Sequence, residues 1–179
     1  LRADPVHLRV MRDRIVLADS SELGLAQAEA DAMARSIGEH FGAAFSPQPL
    51  HPARWYLRLD QAPRLRTTPV SLAVGCDIDP LLPQGDDAMQ FRTQLNELQM
   101  LLFEHPVNQA REARGELPMN SLWLWGGGCL PSAQQSDVAI YSCDAEVTAL
   151  ARFGGVQPAA LPDFFAADLI ASNSLIVLD

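Results

Sequence analysis

"SLWLWGGG", residues 121–128, sets two leucines and two tryptophans in alternation directly before three glycines. Side chains alternate across a strand, so Trp123 and Trp125 share one face and Leu122 and Leu124 the other. Both faces are apolar, which predicts a central strand covered on two sides. Gly126, Gly127 and Gly128 then form a backbone bend at its carboxyl end. Further along, "DVAIYS" (137–142) and "SLIVLD" (174–179) are short apolar strand candidates. Between them "AEVTALARF" (145–153) reads as a helix closed by Gly154 and Gly155. Strand–helix–strand alternation marks an α/β domain with a largely parallel sheet. The three strands are expected in one sheet, with a right-handed crossover through the 145–153 helix.

The chain before this region has a different grammar. "VHLRV" (6–10) and "RIVLA" (14–18) read as a hairpin. Ser20 or Ser21 is placed to cap a helix reaching about Gly42, with Met33, Ile37 and Phe41 on one face. "FSPQPLHPA" (45–53) carries three prolines and is expected to break regular structure. "RWYLRL" (54–59) and "VSLAV" (70–74) read as strands. Asp86 or Asp87 caps a helix with the apolar stripe Phe91, Leu95, Leu98 and Leu102. Pro106 either kinks that helix or begins a second one, which Gly115 closes. A boundary is therefore expected near residue 118, dividing a lobe of 1–117 from part of a sheet domain, 118–179.

The 179 residues are 48% apolar, enough for a packed core. The net charge of -9 argues against a nucleic-acid or anionic-membrane partner. Lysine is absent; twelve arginines and fifteen acids precede residue 115, and one arginine and seven acids follow it. Arginine usage of this kind reflects either a GC-rich genome or forks for phosphate and carboxylate groups. An anion site belongs in or facing the first part. Cys76, Cys129 and Cys143 form no CxxC pair and fit free thiols in a reducing cytoplasm. There is no signal peptide and no apolar run of transmembrane length. The first residues, Leu-Arg-Ala-Asp, and the last strand candidate, stopping at Asp179, both read as cut ends.

Several clusters carry polar chemistry. A strand ending in glycines sits where open α/β sheets bind ligands, and glycine amides can approach an anion closely. The alternative is a tight strand exit that packs tryptophans. "HPVNQAREARGELPMN" (105–120) holds His105 at a helix break, with Asn108, Arg111 and Glu112 within one turn. That block either feeds a cleft or forms a solvated helix face. Arg2, Asp4 and His7 flank a proline and suit an anion or metal, or else a buried Arg–Asp pair with a structural histidine. Asp77 and Asp79 in "DIDP" suit Mg²⁺ or Mn²⁺, or a turn. No HxH, HExxH, CxxC, P-loop or GxSxG pattern occurs, so neither a complete metal site nor a catalytic residue is assigned.

In order, "RADPVHL", "DIDP" with its glycine loop, and "HPVNQAREARGELPMNSLWLWGGGCLP" resemble the archaeal-type cofactor-independent phosphoglycerate mutases of the alkaline phosphatase superfamily. The similarity spans most of residues 1–155, with 105–131 its specific part, and is closer still to a bacterial branch of regulatory proteins. The resemblance implies a partial alkaline-phosphatase-like α/β domain carrying an inserted α+β lobe, the latter mostly residues 1 to about 117. Active members use two divalent metals and a phosphorylated serine. Their ligand segments, an N-terminal Asp and Ser and a later Asp and His, have no counterpart here. The expectation is a phosphoglycerate-mutase-like binding or regulatory module, inactive by itself and without a cofactor. The alternative is a metal-dependent mutase or phosphatase whose Mn or Mg ligands lie elsewhere. The expected partner is a small phosphorylated ligand or a protein. Candidate ligand-binding residues are Arg2, Asp4, His7, Asp79, His105, Asn108, Arg111, Gly126, Gly127 and Gly128.

Overall fold

A computed structural model describes residues 1–18, 20–161 and 173–177. It divides into two compact units, Leu1–Cys129 and Leu130–Asp179. Segment 118–129 therefore groups with the first unit, later than the expected boundary.

The first unit is built on a four-stranded sheet. Its strands are β1 (Arg2–Val6), β4 (Pro47–His51), β5 (Arg54–Leu57) and β6 (Ser121–Trp125), in the order β4-β5-β1-β6. Every pairing in it is antiparallel. β6 runs against β1 in the register Arg2↔Trp125 through Val6↔Ser121. The expected alternation holds. Leu122 and Leu124 enter a core with Trp55, the α2 (Gln27–Phe41) residues Met33 and Ile37, and the α4 (Ala88–Phe103) residues Phe91, Leu95, Leu98 and Leu102. Trp123 faces the other way, into a smaller cluster with Val6, Leu17, Ala73 and Ile78. A hairpin of β2 (Leu8–Val10) and β3 (Ile15–Leu17) supplies part of that second cover.

Several expectations change. The main sheet is antiparallel rather than largely parallel, because β6 pairs with β1 and does not join the strands near 139 and 174. β6 is covered on both faces as expected, yet it lies at the edge of this sheet and not at its centre. Residues 47–51 form a strand despite Pro47 and Pro49. β4 is the opposite edge, where a missing N–H removes no ladder bond, and its register slips between Gln48 and His51. Val70–Ala73 is one helical turn, α3, with the Val74 N–H donating to the Val70 carbonyl. Only Val74, at the end of the expected strand, keeps a strand-like pairing, a single bridge to Leu17 of β3. The helix expected from residue 20 to 42 is two, α1 (Ser20–Leu23) and α2, split at Gly24, which has φ 51°. Asp87 stands at the start of α4 but does not cap it; its carboxylate accepts from the Arg64 N–H. Pro106 begins a separate helix, α5 (Pro106–Ala113), and Gly115 at φ 75° closes it.

The second unit pairs β7 (Ala139–Tyr141) with β8 (Ser174–Ile176) in parallel, Ala139 opposite Ser174. Between them in sequence lies α6 (Ala145–Phe153), capped by the Asp144 carboxylate on the Glu146 and Val147 N–H groups. The strand–helix–strand unit read from the sequence is therefore present here. Its crossover passes through residues outside those described, as do Leu178 and Asp179 of the expected last strand.

Candidate functional site

The polar block 105–120 is the densest cluster of buried polar side chains in the first unit. His105 stands at the N-cap of α5, where Pro106 has no N–H and the next donor, Val107, needs a partner. The His105 Nδ1 accepts that N–H at 3.3 Å, which leaves Nε2–H to donate to the Ser36 hydroxyl at 3.0 Å. Burial holds the imidazole below its usual range, so the neutral ring is favoured.

Asn108 faces inward from the first turn of the helix. Its amide donates to the Leu102 carbonyl at 2.8 Å and the Met119 carbonyl at 2.7 Å, and its oxygen accepts from the Met119 N–H at 3.0 Å. Asn120 repeats the device one strand over. Its oxygen accepts from the Leu8 N–H at 2.7 Å and its amide donates to the Leu8 carbonyl at 2.9 Å. Two side-chain amides thus anchor the entry to β6.

Arg111 is only 1% exposed. Its guanidinium donates to the Leu117 carbonyl at 2.9 Å, to the Glu29 carboxylate at 2.7 Å and to the Leu23 carbonyl. Arg114 joins the same carboxylate at 2.7 Å and also holds Glu116. Burial pushes Glu29 upward, but the Ala26 N–H and the two arginines outweigh it, and the carboxyl ends below its ordinary range. Neither Glu29 nor Asn120 was among the sequence candidates. Their partners lie 82 and 112 residues away, so local spacing carries no signal of the pairing.

Arg2 and Asp4 share one face of β1 and form a forked pair, with Arg2 Nε and Nη2 at 2.9–3.0 Å from the carboxylate. Asp4 also accepts from the Trp125 indole at 2.7 Å. Arg2 lies over the Trp125 and Tyr56 rings at 4.9 and 5.1 Å. Burial raises the Asp4 carboxyl above its ordinary range, against the pull of Trp125 and Arg2. His7 does not join them; its Nδ1 donates to the Pro118 carbonyl at 2.8 Å. Asp79 is exposed in a turn, its N–H bonded to the Asp77 carboxylate.

The three glycines line a cleft of about 440 Å³ with Leu1, Pro63, Thr67 and Trp125. Gly126 has φ 62°, the left-handed bend expected at the strand exit. The cleft lining carries no charged side chain, and Arg2, beside Gly126, is paired with Asp4. The candidates thus fall into two groups: Arg2 and Asp4, which adjoin the glycine cleft through Trp125, and the 105–111 helix face, with His7 and Asp79 outside both. Among the described residues no three His, Cys, Asp or Glu side chains come together to hold a metal ion. The divalent ions implied by the resemblance therefore do not fit the described residues of this chain.

No family model matches the chain. It is 43% identical over 65 residues to the 2,3-bisphosphoglycerate-independent phosphoglycerate mutase of Methanothrix thermoacetophila, covering 36% of this chain and 17% of that protein. The enzyme of that name from Methanosarcina mazei is 39% identical over 64 residues, 36% of this chain and 16% of the relative. A cofactor-independent phosphoglycerate mutase of known structure, from Thermoplasma acidophilum, superposes with a TM-score of 0.52 at 17% identity, over 98% of this chain and 52% of that one. The relatives of this chain are cofactor-independent phosphoglycerate mutases. The matched segments span about one-sixth of the curated mutases, and the shared fold spans about half of the solved one. Among the described residues no helix is long and apolar enough to cross a membrane.

Proposed function

We propose that this chain is a phosphoglycerate-mutase-like module that binds or regulates and does not itself turn over substrate. The observation that carries this reading is the engagement of its polar residues. His105, Asn108 and Arg111 spend their hydrogen-bonding groups on backbone atoms, Ser36 and Glu29, and Asp4 is saturated by Arg2, Trp125 and the Trp55 N–H. Groups so occupied hold the fold together, which supports a structural role for them. Of the two partner classes, the uncharged glycine cleft favours a protein segment over a small phosphorylated ligand. The exposed free thiols of Cys76, Cys129 and Cys143 support a reducing compartment such as the cytoplasm.

The test is an assay of the purified 179-residue chain for interconversion of 3- and 2-phosphoglycerate, with Mn²⁺ or Mg²⁺ supplied. No turnover is expected. Metal-dependent turnover that a chelator abolishes would overturn the reading.

A second reading is favoured by the relatives' names: a metal-dependent mutase or phosphatase whose ligands lie outside this chain. Turnover by a longer polypeptide that includes this chain, with none by the chain alone, selects it.

A further inference from the structure

We propose that the unpaired edge of β6 takes up an extended segment of a partner protein as an added strand, one that alternates apolar residues with lysine or arginine. Successive residues of a strand turn their backbone groups to opposite sides. Leu1 exchanges both bonds with Leu57, its N–H donating at 3.1 Å and its carbonyl accepting at 2.8 Å, so Arg2 and Asp4 turn theirs toward β6. Their register partners Trp125 and Trp123 are thereby spent on β1, and the N–H and C=O groups of Leu122 and Leu124 point out of the sheet edge. Among the described residues no strand pairs with them. The opposite edge is guarded, since β4 carries Pro47, Pro49 and a register slip. β6 has no proline, no charged residue and no slip.

That edge opens into a cleft of about 350 Å³ that runs along Ser121 to Leu124. On one side α4 supplies Leu95, Asn96 and Gln99, and Leu95 packs with Leu122 and Leu124. On the other, Ile15, Ile78 and Leu82 pack with Trp123. One cleft reaches both faces of a strand only past its unpaired edge. Open backbone groups between two side-chain walls are what an added strand requires. The walls exclude a second copy of this chain, because its own β6 carries the same two covers. Two charged side chains line the cleft. Arg92 turns its guanidinium to the Pro83 carbonyl at 3.0 and 3.2 Å, whereas Asp79 is exposed and forms no ion pair among the described residues. With a net charge of -9 on the chain, the complementary strand is cationic. This cleft shares no lining residue with the glycine cleft, so the proposal is independent of what those glycines do.

The probe is a capped short peptide of alternating valine and lysine, titrated into the isotope-labelled chain and followed by its amide resonances. Saturable binding is expected, with shifts centred on Leu122 and Leu124. Asn96→Trp or Gln99→Trp, at exposed positions of α4 that line the cleft, fills it and weakens binding by about tenfold or more. Asp79→Asn and added salt each weaken it severalfold. The same peptide with its amides N-methylated cannot donate to the edge and does not bind. No saturation at millimolar peptide overturns the proposal. So does binding that the methylated peptide keeps, or that an Asn96→Trp variant shown to be folded by circular dichroism keeps. Equal binding of a valine–glutamate peptide overturns it as well, and so does a dimer of the free chain whose interface lies at Leu122 and Leu124.

Discussion

The side chain of Asn108 takes both main-chain partners of Met119, accepting from its N–H at 3.0 Å and donating to its carbonyl at 2.7 Å. An amide does for Met119 what a neighbouring strand would do, and its spare N–H closes the end of α4 at the Leu102 carbonyl. Met119 is fully buried, so neither of its polar groups has water as a substitute.

Asn108→Ala should therefore destabilise the fold by about 2–4 kcal/mol, because buried donors and acceptors lose their partners. Asn108→Asp should be at least as harmful, since a carboxylate cannot donate to either carbonyl. Urea denaturation followed by tryptophan fluorescence gives both values. A loss below about 1 kcal/mol for the alanine variant would show that the clamp contributes little.

Arg111→Lys should fail to rescue the site. A lysine is a point charge and cannot reach the Leu23 and Leu117 carbonyls and Glu29 in one fork. Both Arg111→Lys and Arg111→Met should lower stability by about 3–5 kcal/mol, the range for breaking a buried charged network. Equal stability of the lysine variant and the parent in a thermal melt would contradict the geometry.

Stability should also depend on pH through His105. Its folded pKa lies below the unfolded value, so the unfolded chain takes up a proton first as pH falls. Stability is present above about pH 6.5 and is lost as pH falls from there through the folded value. His105→Asn keeps an N-cap acceptor without the titration, and it should flatten this part of a melting-temperature profile. Glu29 and Glu116 are also held below their ordinary range, and their contribution is lost at lower pH, in the carboxylate window. An unchanged slope near neutrality in the His105 variant would remove the histidine from the account.

The three glycines should respond differently to alanine. Gly126 at φ 62° should lose about 1 kcal/mol, the penalty of a left-handed conformation. A Cβ on Gly127 meets the Leu1 side chain at 3.2 Å, a small crowding, and on Gly128 it meets nothing within 4 Å. The expected order of destabilisation in thermal melts is Gly126, then Gly127, then Gly128. A reversed order would contradict this account of the strand exit.

The legible part of this chain was its local grammar. The alternation of 121–125, the stripe of Phe91, Leu95, Leu98 and Leu102 and the strand–helix–strand run of the second unit follow from periodicity and caps, whereas Pro106 left a kink and a new helix equally open. Such signals act over a few residues, and propensity suffices to read them. The kinship with phosphoglycerate mutases was legible in the same way, from contiguous motifs.

Pairing was decided only in three dimensions. The alternation of Leu122 and Leu124 with Trp123 and Trp125 specifies two faces for β6 but not its neighbour; the register with β1 joins residues more than a hundred positions apart. The same holds for the polar block. Asn, Arg and His on a helix look identical in sequence whether they meet substrate or a backbone carbonyl. Only the approach of Leu23, Glu29, Ser36 and Met119 turned His105, Asn108 and Arg111 inward, because a buried polar group must find a partner wherever the fold brings one.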